Sequence, residues 1–194
     1  MIQRNLVLKG ERVELIPMET SHAHDLFEAS QDDNIWTYLP AKVTTLEQMH
    51  DVVEQAIIER EKRTQYPFTI KDLKTNKIVG STRYLVLSPE NKSLEIGSTW
   101  LNSSVWRTRV NTESKYLLLK HCFETLDLNR VEIKTDARNQ RSQQAIARLG
   151  AQKEGTLRKN RILPNGFVRD SVIFSVIAKE WPDVKHRLEG FLHR

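Results

Sequence analysis

The order strand, helix, strand between residues 94 and 135 constrains the fold more than any other feature of the sequence. Residues 94–101 and 128–135 alternate apolar and polar side chains, whereas residues 112–126 carry apolar side chains three or four positions apart. A crossover of this kind is right-handed and joins two parallel strands of one sheet. We therefore predict a parallel strand pair, with a helix that starts near residue 112 after a short polar loop.

The elements on either side of this unit predict antiparallel strands. Apolar runs bounded by turns predict strands at 6–17, 67–73, 78–88, 153–161 and 168–177, the last two joined by a hairpin turn at 164–166. Helices are predicted after Thr20 or Ser21, after Thr45, at 139–149 and at about 179–191. The predicted fold class is α/β (α+β). Residues 1–194 would form a single domain, with a mixed, mostly antiparallel sheet, a central parallel strand pair that splays, and helices on both faces.

Composition indicates a soluble globular protein. The 194 residues are 39% hydrophobic and 28% charged, and the formal net charge of +5 is spread along the chain. Such a mild basic excess fits nucleic acid weakly and an anionic small ligand equally well. The chain has one cysteine, and no apolar run approaches the roughly 20 residues of a membrane helix or forms a signal-peptide core. These observations predict a cytoplasmic protein without membrane contact.

Several kinds of catalytic site are missing from the sequence pattern. No Gly-x-Ser-x-Gly motif, phosphate-binding loop or dinucleotide fingerprint occurs. Cys122 lies within an apolar helix pattern and is predicted to be a packed core residue. The six histidines have no metal-binding spacing, so no metal site is predicted.

Two polar helix starts remain as candidate binding elements. Arg107 and Arg109 stand before a predicted start at 111–112, and Asn139 is a predicted N-cap with Ser142 three residues later. Both starts follow strands of the parallel pair, where open α/β sheets bind ligands, and a helix N-terminus holds phosphate well. The alternative is structural in each case: solvated arginines at an ordinary connection, and a capping Asn139 beside an exposed Ser142.

The segment 31–44 is predicted to be an irregular loop with several large apolar side chains. Trp36, Tyr38, Leu39 and Pro40 fall within five positions. They either close one edge of the core or form a wall of a binding site, since binding residues are often on loops.

Several short motifs follow one another in a familiar order. They are Glu-Ile-Gly (95–97), Asn-Thr-Glu (111–113), Arg-Val-Glu (130–132), Asn139-x-x-Ser142, Leu-Gly (149–150) and an Asn-Gly hairpin leading into Arg-Asp-Ser-Val (169–172). This order resembles the GNAT superfamily of N-acetyltransferases, and most of all the branch of the ribosomal-protein N-terminal (alanine/serine) acetyltransferases. The resemblance implies acetyl-CoA as cosubstrate, without a metal, and direct transfer in a ternary complex. The implied acceptor is a primary amine, either a protein N-terminus or a small molecule.

The resemblance also implies which residues hold the donor. Family members bind the pyrophosphate at the helix start after the strand 94–101, here Arg107, Thr108, Arg109, Val110, Asn111 and Thr112. When the family's loop motif is aligned on that start, its positions fall on Trp106, Arg109 and Asn111. Arg109 then replaces a glycine, and Asn111 replaces a small residue, although Asn111 can cap the helix. The two arginines either supply charge to the phosphates or obstruct them.

The remaining implied roles concern the chemistry. Glu95, whose side chain is expected on the face opposite Ile96 together with Gly97 and Thr99, would be the general base. Backbone N–H groups near Trp100 and Leu101 would stabilise the oxyanion. Ser142, with Asn139 beside it, would serve the leaving thiolate, and Arg169 and Asp170 are candidates for facing the acceptor.

Two other classes of function compete with this interpretation. A non-catalytic module that binds CoA or a protein partner would result if Arg109 and Asn111 spoil the donor site. A nucleic-acid binder is disfavoured because the basic residues form no aromatic-rich groove. The sequence leaves the oligomeric state open, including a homodimer.

Overall fold

Eight strands form one sheet in the computed structural model, which describes residues 2–40, 42–163 and 165–193. The strands are β1 (Leu8–Lys9), β2 (Val13–Pro17), β3 (Tyr66–Asp72), β4 (Lys77–Ser88), β5 (Ser93–Leu101), β6 (Arg130–Asp136), β7 (Gln152–Ile162) and β8 (Val168–Ile177). The helices are α1 (Ala23–Ala29), α2 (Leu46–Glu61), α3 (Arg109–Lys120), α4 (Gln140–Leu149) and α5 (Trp181–Leu192). None of these helices is long and apolar enough to cross a bilayer.

The sheet confirms the predicted mixed topology. Its strand order is β1-β2-β3-β4-β5-β6-β8-β7, and every neighbouring pair is antiparallel except β5 and β6. The parallel pairing covers only Ser93–Glu95 against Arg130–Glu132, although both strands continue further. The strands therefore separate toward their carboxyl ends, as was predicted for a parallel pair that splays. The gap between them opens beside the starts of α3 and α4.

The predicted first strand, residues 6–17, is in fact two strands. The turn between β1 and β2 is held by the buried Glu113 carboxylate, which accepts the backbone N–H of Glu11 at 2.6 Å and of Arg12 at 3.1 Å. A side chain on Gly10 would collide with the same carboxylate. The prediction of one strand was wrong because the acceptor that holds the turn lies a hundred residues away.

Helix α3 begins three residues earlier than predicted. Thr108 is its N-cap, and the Thr108 hydroxyl accepts the Val110 N–H at 3.3 Å. Arg109 and Asn111 therefore lie in the first turn, and the expected cap at Asn111 is wrong. A π-helical turn, His121–Thr125, continues the helix to nearly its predicted end.

A bulge in β5 changes the faces on which its side chains lie. The register with β4 shifts between Ser81 and Arg83, and Ser98 has a φ of +47°. Thr99 consequently shares a face with Ile96, and its hydroxyl lies 2.8 Å from the Thr82 hydroxyl. The expectation that Thr99 lies with Glu95 was wrong because a single inserted residue inverts the alternation.

The later elements follow the predictions closely. Asn139 caps α4, its side-chain oxygen accepting the Ser142 N–H at 3.0 Å, and Gly150 ends the helix with a φ of +106°. Strands β7 and β8 form the predicted hairpin, of whose turn Asn165 and Gly166 are described and Pro164 lies outside the described residues. Helix α5 starts at Trp181, after a short turn at Ala178–Glu180, rather than at 179.

Two apolar clusters cover the two faces of the sheet. The larger joins one face to α3, α4 and α5, with Tyr84 and Ile96 fully buried at its centre. The smaller packs α1 and α2 against the other face, with Leu26 and Val53 fully buried. The gap between β5 and β6 is therefore open to both layers of the molecule.

Candidate active site

A large cleft occupies the gap between β5 and β6. Its volume is about 1560 Å³, and it is lined by the carboxyl halves of both strands, by the first turns of α3 and α4, and by part of the loop 31–44. Every residue predicted to hold the donor or to take part in the chemistry lines it except Val110, namely Glu95, Trp100, Leu101, Arg107, Thr108, Arg109, Asn111, Thr112, Asn139 and Ser142. Residues far apart in sequence thus meet at one place.

Val110 is the exception because it belongs to the core. Its side chain is fully buried, and its N–H is taken by the Thr108 hydroxyl. The prediction that Val110 contributes to the cleft was wrong for that reason.

The first turn of α3 presents free backbone donors to the cleft. The Thr108 N–H donates to Val105 O at 3.3 Å, whereas the N–H groups of Arg109 and Asn111 have no acceptor among the described residues. Unpaired N–H groups at a helix N-terminus, together with the helix dipole, favour an anion.

The two arginines at this helix start differ in their surroundings. The Arg109 guanidinium is 2.8 Å from Glu11 and 4.0 Å from Glu113, so it is drawn toward the β1–β2 turn. Arg107 is exposed, with no charged partner in the described parts of the chain, and has a φ of +60°. The left-handed residue of the loop, where glycine is usual, is therefore Arg107 rather than Arg109.

Glu95 lies on the face of the sheet opposite Ile96, as predicted. Its carboxylate accepts a hydrogen bond from Lys134 on β6 at 2.9 Å. A Cβ atom on Gly97 would lie 2.9 Å from the Glu95 carboxylate and 2.8 Å from Leu85. Because Gly97 has no side chain, the Glu95 carboxylate has room to lie beside it.

The backbone of β5 presents one of the two expected N–H groups to the gap. Asn102 N–H donates to Val79 O at 2.7 Å, and Leu101 lies opposite Gly80. Bonded and non-bonded pairs alternate in an antiparallel ladder, so the Leu101 N–H points away from β4 and the Trp100 N–H points toward it. The expectation that Trp100 also offers a free N–H was wrong.

Ser142 lies in the first turn of α4 and lines the cleft. Its N–H is held by the Asn139 side chain, while its hydroxyl has no hydrogen-bond partner among the described residues. Asn139 is thus a positioning residue, and the Ser142 hydroxyl is free to contact a ligand.

One part of the loop 31–44 packs against the core, and another part lines the cleft. Trp36 packs against Trp100 with ring centroids 5.8 Å apart, next to the smaller cluster. Tyr38, Leu39 and Pro40 line the cleft.

Of the two candidates after the hairpin, only Arg169 reaches the cleft. Asp170 is turned toward β7, where its carboxylate accepts the Lys159 N–H at 2.7 Å, so the expectation that it faces an acceptor was wrong.

Comparison with known proteins identifies the family. The family model described as "Acetyltransferase (GNAT) domain" matches residues 12–152. The chain belongs to the GNAT acetyltransferase family. Acetyl-CoA-dependent acetyl transfer is the activity of that family, and the chain is accordingly an acyltransferase.

Individual relatives agree with this family. The chain is 38% identical to a "putative acetyltransferase" of T. thermophilus whose crystal structure is known, with a TM-score of 0.90, covering 99% of this chain and 100% of that one. It is 27% identical to "Uncharacterized N-acetyltransferase p20" of Bacillus licheniformis over 90% of this chain and 97% of the relative. It is also 31% identical to "Putative ribosomal N-acetyltransferase YdaF" of Bacillus subtilis, over 51% of this chain and 53% of the relative.

The GNAT cleft also contains a buried lysine that the sequence pattern did not reveal. Lys115, on α3, is 5% exposed and donates to the Thr99 hydroxyl at 2.6 Å. Burial lowers the pKa of Lys115 to about 7. The burial of Lys115 could not be predicted from the sequence, because a lysine within a helix is usually solvated and because the bulge that brings Thr99 to this face has no sequence marker.

Further arginines of the GNAT cleft were missed for a similar reason. The Arg141 guanidinium lies 4.0 Å from the centroid of the Trp106 ring, and Arg148 donates to the Thr112 hydroxyl at 2.8 Å. Their positions on the exposed side of α4 are typical of solvated residues, and only the proximity of α3 gives them contacts. No group of three or more His, Cys, Asp or Glu in the described ranges is placed to hold a metal ion.

Proposed function

We propose that residues 1–194 act as one acetyltransferase domain that transfers acetyl from acetyl-CoA to a primary amine, directly and within a ternary complex. The observation that carries the proposal is the single gap between β5 and β6. Free helix N–H groups lie at one side of this gap, and the Glu95 carboxylate lies on the opposite face of the sheet. Donor and acceptor can therefore enter from opposite faces and meet at the strand ends.

The donor side would hold the pyrophosphate at the start of α3. The N–H groups of Arg109 and Asn111 supply donors, and the exposed Arg107 supplies charge. Thr108 and Thr112 line the same part of the cleft. The Arg109 guanidinium is paired with Glu11 at the β1–β2 turn, which favours the enzyme over a non-catalytic module in which Arg109 obstructs the phosphates.

The chemistry would proceed by attack of the neutral amine on the thioester carbonyl carbon. The Leu101 N–H stabilises the oxyanion of the tetrahedral intermediate. Glu95 accepts the proton that the amine nitrogen loses, directly or through water. The carbon–sulfur bond then breaks, and the Ser142 hydroxyl donates a hydrogen bond to the CoA thiolate, which finally takes a proton from solvent.

An α-amine is the acceptor that this arrangement serves best. An α-amine with a pKa of about 7.7–8.0 is partly neutral near pH 7, whereas a lysine amine near 10.4 is almost fully protonated. The likeness to a ribosomal N-acetyltransferase over half of the chain supports a protein N-terminus as one such acceptor. A small-molecule amine is the other.

Two measurements test the enzyme against a non-catalytic module. Acetyl-CoA at about 100 times its dissociation constant should stabilise the fold by roughly 2.7 kcal/mol, and CoA release should depend on added amine. The absence of a thermal shift at millimolar acetyl-CoA would contradict donor binding. A thermal shift without CoA release for any of a panel of amines would support the module instead.

The predicted catalytic pair gives a sharper test. Ser142→Ala should lower kcat while leaving the acetyl-CoA dissociation constant nearly unchanged, and Glu95→Gln should lower kcat most at neutral pH, where most of the amine is protonated. Ser104→Ala, an exposed serine outside the cleft, is the matched control. Turnover of Ser142→Ala equal to that of this control would remove Ser142 from the mechanism.

A further inference from the structure

Two arginines on the cleft are largely buried without a carboxylate partner. Arg83 on β4 donates to the Gln65 side chain at 3.1 Å, and its buried Nε atom has no acceptor in the described parts of the chain. Arg169 on β8 is 8% exposed and donates to the Ser171 hydroxyl at 3.2 Å and to Tyr38 O at 3.4 Å. Both side chains line the cleft.

The surroundings of both guanidinium groups are short of negative charge. Burial is the largest influence on each and lowers the pKa of Arg83 and of Arg169. The carboxylates that interact electrostatically with Arg169 belong to Asp136 and Glu95, which are already paired with Arg138 and Lys134. The carboxylate that interacts with Arg83 belongs to Glu59, which is already paired with Lys62. Burying a cation without a partner costs free energy. A bound anion would therefore stabilise the two buried guanidinium groups.

Both arginines lie on the face of the sheet that carries Glu95. Arg83 is the cross-strand neighbour of Gly97, above which the Glu95 carboxylate lies. Arg169 interacts electrostatically with Glu95 from the other side of the gap. The arginines thus flank the proposed base on the acceptor side and lie away from the free N–H groups of α3, where the donor phosphates would bind.

We propose that Arg83 and Arg169 form an anion subsite for the acceptor, so that the preferred acceptor is an amine that carries a carboxylate or a phosphate. This inference rests on the proposed function, because it assumes that an amine enters from the Glu95 face. Arginine suits the role because its planar guanidinium binds both anions through paired hydrogen bonds. The anion would anchor the acceptor and leave its amine beside Glu95.

The experiment compares acceptors that differ only in the anion. Glutamate α-amide is compared with glutamine α-amide for the carboxylate, and O-phosphoserine α-amide with serine α-amide for the phosphate. Each pair has the same kind of α-amine, so a difference in kcat/KM reports the anion. The expected preference for the anionic member of at least one pair is about 10-fold or more, the size of one charge-assisted hydrogen bond.

Variants assign this preference to the two side chains. Arg83→Gln and Arg169→Gln should each raise the KM of the anionic acceptor about 10-fold, with little change in kcat or in the neutral acceptor, and Lys at either position should restore part of the loss. Arg158→Gln is the matched control, because Arg158 is an exposed arginine of β7 that does not line the cleft. The acetyl-CoA dissociation constant of every variant verifies that it is folded.

Binding without turnover separates this inference from the proposed function. Calorimetry with O-phosphoserine α-amide and with glutamate α-amide, in the absence of acetyl-CoA, should show binding that both arginine variants weaken. Such binding without any acetyl transfer would overturn the proposed function and keep the anion subsite. Acetyl transfer with equal kcat/KM for charged and neutral acceptors would overturn the anion subsite and keep the proposed function.

Discussion

At the scale of single residues, the site depends on groups whose surroundings change their ordinary chemistry. Lys115 is held in a buried position against a hydroxyl rather than a carboxylate, and Gly97 matters for the space it leaves. Neither property can be read from the residue type, because each depends on which strand or helix lies opposite.

Lys115 should make the stability of the fold depend on pH. Its pKa is about 7 in the folded protein against 10.5 when unperturbed, so between these values the unfolded chain binds more protons than the folded one. Stability therefore rises with pH across this window. Lys115→Met should remove that rise, and at pH 6 the variant should be more stable than the wild type by up to a few kcal/mol. Urea unfolding at pH 6 and pH 9 measures both effects. Lys179→Met, at an exposed position, is the control and should keep the wild-type slope.

Gly97→Ala should reduce catalysis with little effect on donor binding. The new methyl group would meet the Glu95 carboxylate and the Leu85 side chain, so the carboxylate must move. A displacement of about 1 Å at a reacting group can cost up to about 100-fold in rate. We expect a fall in kcat of roughly 10-fold or more, measured by CoA release. Gly155→Ala, which meets no atom within 4 Å, is the control, and equal kcat for the two variants would contradict the role given to Gly97.

At the scale of elements, α3 explains most of the differences between expectation and structure. The apolar side chains that lie three or four positions apart in residues 112–126 include Tyr116, Leu119, Phe123 and Leu126, and these are only partly the core face. Tyr116 and Phe123 pack against Trp181 of α5, while the face toward the sheet includes the polar Ser114 and Lys115. The spacing of apolar residues predicted the helix correctly. It could not predict which face of the helix packs on the sheet, because that face also contains polar residues.

Glu113 should prove a structural link between α3 and the β1–β2 turn. Glu113→Leu removes both carboxylate oxygens, which accept the N–H groups of Glu11 and Arg12. The cost of leaving a buried donor unsatisfied is about 1–3 kcal/mol, and urea unfolding should show a loss of that size. Glu54→Leu, at an exposed position of α2, should lose almost nothing, and an equally small loss for both variants would show that the turn does not depend on Glu113.

At the scale of the whole molecule, the fold was more predictable than the site. Strand alternation, helix spacing and the right-handed crossover are properties of contiguous segments, so the parallel pair at β5 and β6 followed from the sequence. Three features depend on cross-strand register, which no contiguous segment specifies: the free Leu101 N–H, the Ser98 bulge and the position of Arg83 opposite Gly97. Glu95 and Ser142 could be placed at the cleft from the family resemblance, whereas Lys115 could not.

The short parallel pairing of β5 and β6 also bears on how such a protein can diversify. Only three residues of each strand pair, and the opening beyond them is a property of the main chain. Substitutions of the lining side chains leave that opening in place. If the proposed function holds, a designer could exchange residues on β4 and β8 to accept a different amine, and keep unchanged the backbone at the start of α3, the proposed site of the donor phosphates.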